Sequence, residues 1–172
     1  MSSDTIVVGA ANDDIGANGD QGSAYVFTRS GATWSQQQKL TANDGAANDY
    51  FGISVALYGQ IVVVGAEGDD TGANGDQGAA YVFSRNGASW TQQNKLTAAD
   101  GAQGDNFGNA VAVEGDAVLT GAYLSGGTDR GAAYFYSICG DIGPVQKIFK
   151  IGVSSREDFG SSIAANETTA VI

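Results

Sequence analysis

Short apolar runs with period-two alternation, separated by Gly-, Asn- and Asp-rich connectors, dominate the chain. FGISVAL (51–57) alternates, IVVVGA (61–66) is a continuous β-branched run, AAYVFSR (79–85) alternates aromatic and small residues, and WTQQNKLT (90–97) is polar and amphipathic. The connectors YGQ, EGDDTGANGDQG, NGAS and AADGAQGDN are all turn-forming. No window carries a 3.6-residue period with helix caps. The pattern therefore predicts an all-β chain.

The pattern also repeats. Residues 5–42 and 61–98 align without a gap at an offset of 56, with 27 of 38 positions identical. Gly9 falls on Gly65, Tyr25 on Tyr81, Trp34 on Trp90 and Lys39 on Lys95. A third copy is degenerate: Phe107-Gly108 and Gly121-Ala122 hold the register, Tyr134 comes three residues early, and DIGPVQKIFKI replaces the W-x-QQ-x-K-L segment. Fixed-period self-similarity of this length signals a stacked or radial repeat architecture. Four short strands per repeat is the arithmetic of a β-propeller blade; a β-solenoid would use shorter coils. The expected division is a first blade lacking its inner strand (1–49), a second blade (50–105), a third, degenerate blade (106–157), and an inner strand with part of a second strand of a further or shared blade (158–172). Phe51 and Phe107 are expected to be buried between blades, with Gly52 and Gly108 allowing close strand packing.

FGISVALYGQIVVVGAEGDD and FGNAVAVEGDAVLTGAYLSG, with TIVVGAANDD at the start and FGSSIAANETTAVI at the end, resemble the FG-GAP repeat. That repeat builds the propeller of integrin α-subunits and of many bacterial extracellular proteins, and the wording here is most similar to the bacterial type. The resemblance spans essentially the whole chain. It implies a non-catalytic, extracellular or cell-surface module for adhesion or self-assembly. Integrin-type blades often carry a D-x-D-x-D-G calcium loop between the first and second strands. Here those connections are YGQ, VEGDA and NETT, so that metal site is not implied.

Charge narrows the partners. The chain has 19 Asp and Glu against 8 Lys and Arg, a net charge of -11. This argues against nucleic acid, which needs clustered cations, and against anionic membranes. No apolar run reaches the length of a membrane span. Histidine is absent, which removes the commonest general base, and the Ser and Thr residues have no such partner for activation. No carboxylate pair stands out for glycoside hydrolysis. The single Cys139 forms no internal disulfide. The N-terminus has no basic flank and no apolar stretch of signal-peptide type, so the signal of a secreted parent would lie outside this segment.

In a four-stranded meander the second-to-third-strand loops and the blade-to-blade loops share one face, and most of the acids fall on it. Two readings of them stay open. Asp, Asn and Gly build Asx turns and keep a Gly-rich β surface soluble. Alternatively Asp69, Asp70, Asn74 and Asp76, and their counterparts Asp13, Asp14, Asn18 and Asp20, supply hard oxygen ligands to Ca²⁺, the only cofactor the composition suggests. Trp34 and Trp90 are either structural lids or sugar-stacking platforms of a calcium-dependent, lectin-like domain. Asn166 heads an N-glycosylation sequon.

The expected partners are a protein, a glycan, or other copies of the chain. About three repeats are fewer than a closed propeller needs. The chain is read as an excerpt of a longer propeller, as half of a six-bladed ring closed by strand exchange, or as a head-to-tail filament.

Overall fold

A computed structural model describes residues 4–125, 131–138, 143–148, 158–166 and 169–172. Among these there is no α-helix. The β-branched and alternating runs form antiparallel sheets ordered along the chain. The first sheet holds β1 (Thr5–Ala10), β2 (Ser23–Ser30) and β3 (Thr33–Leu40). The second holds β4 (Ser54–Tyr58), β5 (Ile61–Ala66), β6 (Ala79–Asn86) and β7 (Ser89–Leu96). The third holds β8 (Phe107–Glu114), β9 (Ala117–Ala122), β10 (Ala132–Ser137) and β11 (Gly143–Ile148), and a last hairpin pairs β12 (Ala164–Asn166) with β13 (Thr169–Val171). In each larger sheet sequence neighbours are spatial neighbours, the up-and-down meander of a propeller blade.

Strand alternation is what joins the blades. In β5, Val62 and Val64 pack in a core shared with Val26 and Leu40 of the first blade, while Val63 packs with Phe107, Val111 and Tyr134 of the third. In β6, Tyr81 and Phe83 face backward and Ala80 and Val82 face forward. Each middle strand is therefore buried on both faces. This explains the continuous β-branched run at 61–66, which has no polar side to show.

Phe51 and Phe107 are fully buried. Phe51 meets Tyr81 and Phe83 edge-on at centroid distances of 5.5 and 6.0 Å; Phe107 meets Tyr134 and Tyr136 at 5.3 and 6.0 Å. Each Phe also makes a parallel bridge to a glycine of the preceding blade, Phe51 to Gly22 and Phe107 to Gly78. The expected inner strand FGISVAL is shorter than its pattern suggested. Gly52 sits at φ 98°, a left-handed conformation that breaks the extended chain, so regular pairing begins only at Ser54.

The QQ of the outer strands also finds its reason. The β2–β3 register slips between Val26, opposite Gln38, and Phe27, opposite Gln36, which leaves Gln37 as a bulge. Gln37 then reaches the indole N–H of Trp90 at 3.0 Å, and Gln38 takes both the backbone N–H (2.7 Å) and the carbonyl (2.8 Å) of Trp90. A side-chain amide thus stands in for a missing ladder rung between blades.

Candidate functional site: the acidic loop face

The second-to-third-strand loops lie beside the blade-to-blade loops. The amides of Gly104, Asn106 and Phe107 donate to the carbonyls of Gly75, Asp76 and Gln77, and those of Asn48, Tyr50 and Phe51 repeat this on Gly19, Asp20 and Gln21. Buried Gln77 also donates to the carbonyl of Ala98 at 3.0 Å. The loop face is therefore one hydrogen-bonded layer over the blade ends rather than a set of free loops.

The structure divides the eight candidate metal residues into two kinds. Asp69 is 2% exposed and turns inward. It accepts from the Tyr81 hydroxyl, and its other oxygen is 2.8 Å from the Lys95 ammonium. Asp13 does the same in the first blade: its Oδ2 accepts from Ser23 and Tyr25 at 2.7 Å and lies 2.8 Å from Lys39. The others shape the loop. Asp70 and Asp14 accept the backbone N–H of Asp76 and Asp20 at 2.9 and 3.0 Å. Asn74 and Asn18 donate to Gln77 and Gln21 at 2.9 and 2.8 Å. Asp76 and Asp20 hold φ near 52° and 51°, as Asx residues tolerate in a turn. Among the described residues no three His, Cys, Asp or Glu side chains converge on a point that could hold a metal ion. Asp129 and Glu157, also expected on this face, lie outside the described residues, as do Glu167 and Thr168 of the sequon; Asn166 is exposed at the end of β12.

An Asp–Tyr–Lys cluster repeats from blade to blade, a constellation that residue type alone does not reveal. Tyr81 also donates to Asp44 at 3.0 Å, and Lys95 lies 2.8 Å from Asp44, so the first blade lends a carboxylate to the second. In the third blade Asp100 plays that part, 3.1 Å from Tyr134 and 2.6 Å from Lys147, while Ser125 replaces the inward Asp. Each lysine lies over its tyrosine ring, at 5.5, 5.4 and 5.1 Å. The signal that could have found the cluster is the recurrence of Lys and Tyr at the repeat offset.

These contacts set the titration behaviour. Burial pushes the Asp44 and Asp100 carboxyls up, but Lys95 and Lys147 with their tyrosines outweigh it and hold both below the usual range. The Lys39 ammonium, helped by Ser23 and Tyr25, holds Asp13 far below it. Burial and the Asp69 carboxylate push the Tyr81 hydroxyl far up. Asp49 is the exception: it is buried, its one close donor is the Ala46 amide at 2.6 Å, and burial raises it to about 6. The carboxylates left outermost are Asp14, Asp44, Asp70, Asp76 and Asp100, all exposed on one side.

The two tryptophans differ. Trp90 is 3% exposed, locked between blades, whereas Trp34 is 40% exposed with the Arg29 guanidinium 5.6 Å from its ring centre. No described helix is long and apolar enough to cross a membrane.

No curated protein sequence matches the chain significantly. The family model of the FG-GAP repeat matches residues 1–27, 34–83 and 90–136. Those stretches cover most of the chain and contain the Phe-Gly and Gly-Ala pairs that meet at the blade joints. The chain belongs to the FG-GAP repeat family, a non-enzymatic repeat family of β-propeller type.

Proposed function

We propose that this chain is a non-catalytic, extracellular interaction module that presents its acidic loop face and its blade edges to partners. The observation that supports the reading most is the loop layer itself. Two blades build the same loop with the same hydrogen bonds, and each leaves its outer carboxylates on one side of a rigid frame. A pre-ordered surface loses little entropy on binding. Its single sign of charge steers a positively charged protein surface toward it. FG-GAP propellers are typically extracellular domains, which supports that location.

Binding to an oligolysine-coated sensor tests the reading. Saturable binding that weakens with salt, and that falls when Asp70 and Asp76 are replaced by Asn, is the expected outcome. Binding equal to that of an uncharged surface overturns it.

A second reading, a calcium-dependent glycan-binding domain, draws on the exposed ring of Trp34. A glycan array probed with and without millimolar calcium separates the two. Asp70→Ala is informative in the same experiment. As a loop-shaping acceptor, Asp70 should lose about 1 kcal/mol of stability in chelator and in calcium alike. A loss confined to calcium-containing buffer would make it a ligand.

A further inference from the structure

The joint between blades has two halves, and the fold holds each half once without the other. Where the joint is complete, the inner-strand Phe51 lies edge-on against Tyr81 and Phe83. Gln38 of the blade before grips the backbone of Trp90. In the first blade, Tyr25, Phe27 and Trp34 stand at the positions of Tyr81, Phe83 and Trp90, and the sheet begins at β1 with no inner strand. Its backward face is open: Ile6, Val8 and Trp34 are 42%, 48% and 40% exposed, where their counterparts Val62, Val64 and Trp90 are 0%, 0% and 3% exposed.

The reciprocal half follows the third blade. Phe159 bridges Gly131 as Phe51 bridges Gly22, yet it is only half-buried, while Phe51 and Phe107 are fully so. Gln146, at the position of Gln38, is exposed. β12 pairs with β13 through Asn166–Thr169, Ala165–Ala170 and Ala164–Val171, the register in which Tyr58, Leu57 and Ala56 of β4 meet Ile61, Val62 and Val63 of β5. β13 therefore occupies the place that β1 would take beside an inner strand.

We propose that the two halves close on each other between molecules: the Phe159–Asn166 strand of one copy completes the first blade of a second copy. Phe159 enters against Tyr25 and Phe27 of that copy, and Gln146 takes the Trp34 backbone. β12 exchanges its three-residue pairing with β13 for pairing with β1. The apolar face formed by Ile6, Val8 and Trp34 is then covered as its counterparts are. This deepens the reading of an interaction module that works through its edges, and rests on it. The joint would be mainly apolar, because Gly152 follows Lys147 by five residues where Asp44 follows Lys39 by five. Added salt, which screens the net charge of -11, should strengthen it.

Sedimentation of the full chain over a range of concentrations tests the exchange, beside a form ending at Asn166 that lacks β13. The expected result is a mass above the monomer that rises with concentration, with tighter assembly in the shortened form. Acrylamide quenching of Trp34 should fall as the mass rises. Phe159→Ala and Val8→Asp alter half-buried or exposed side chains, so strand circular dichroism should persist while assembly weakens about tenfold or more. A dimer and an open series both support the proposal. A monomer at every concentration in both forms overturns it, as does an assembly that survives both substitutions. Oligolysine binding by the loop face is read separately, so failure of the exchange and failure of the module reading are distinguishable.

Discussion

Gly9 of the first blade lies so close to the carbonyl oxygen of Gly52 in the second that a Cβ on Gly9 would overlap it. Gly65 stands in the same relation to Gly108, and Gly121 to Gly160. The Gly-Ala pair of one blade and the Phe-Gly pair of the next are thus two sides of one contact. Phe fills the space between blades, and the two glycines let the backbones come together beside it. Gly65→Ala therefore forces backbone against backbone, with no flexible side chain to yield. A loss of about 3 kcal/mol, at the high end for overpacking, is expected in urea unfolding. Gly87→Ala is the control: it has φ 63° and nothing within 4 Å, so it should lose only the left-handed strain of about 1 kcal/mol. Equal losses at the two sites would remove the close-approach explanation.

Much of the fold was legible in the sequence because strand alternation and the repeat offset are local signals. A two-residue period is enough to send Val62 and Val64 to one side of β5 and Val63 to the other, and the offset of 56 is enough to equate Phe51-Gly52 with Phe107-Gly108. The strand at Phe51 is shorter than its alternation suggests because periodicity does not register the left-handed turn at Gly52. The candidate site was less legible. Asp69 and Asp70 are neighbours of one residue type, yet one turns inward to Lys95 and the other outward to cap a loop. That choice depends on Lys95 and Asp44, distant in sequence and, for Asp44, in another blade. Gln38 carried no signal of its own, since its role is defined only by Trp90 across the joint.

The Lys95 cluster should be asymmetric under substitution. Asp69 is almost wholly buried, and Lys95 is its cation. Lys95→Met would leave a buried carboxylate with only hydroxyl partners, a loss of about 3–5 kcal/mol. Asp44 is exposed, and removing it leaves Lys95 paired with Asp69, so Asp44→Asn should lose only about 1 kcal/mol. Chemical denaturation of the two variants at neutral pH makes the comparison. A loss under about 1 kcal/mol for Lys95→Met would mean that the buried pair adds little to stability.

Two groups of carboxylates should pull the stability in opposite directions with pH. Asp13, Asp44 and Asp100 are depressed in the folded state. Their contribution is present above the ordinary aspartate value of 3.8 and is lost as pH falls through their folded values. Asp49 is raised to about 6, so its protonated form favours the fold. Between pH 4 and 6 the folded state binds the extra proton, and Asp49 destabilises progressively as pH rises through that window. Asp49→Asn keeps an acceptor for the Ala46 amide and removes the charge. It should gain about 1 kcal/mol at pH 7, with solvent at the loop face screening part of the effect, and gain nothing near pH 4. A gain that did not change with pH would place its origin elsewhere.

Thr120 is the third-blade counterpart of Val64 and of Val8, and the substitution brings a hydroxyl into a place the repeat keeps apolar. Thr120 is fully buried in β9, and its Oγ1 has no hydrogen-bond partner. An unsatisfied buried hydroxyl costs about 1–3 kcal/mol of desolvation, and the third blade has nothing to offset it. Valine has nearly the same shape, fits the β-branched preference of a strand, and stands at this position in both other blades. Thr120→Val should therefore stabilise the chain by about 1 kcal/mol or more, with a rise of a few degrees in melting temperature. Val64→Thr in the second blade is the reciprocal test and should lose a similar amount. Should Thr120→Val destabilise the chain instead, the hydroxyl must have a partner in solution, and a buried water at the second-to-third blade joint would be the group to seek.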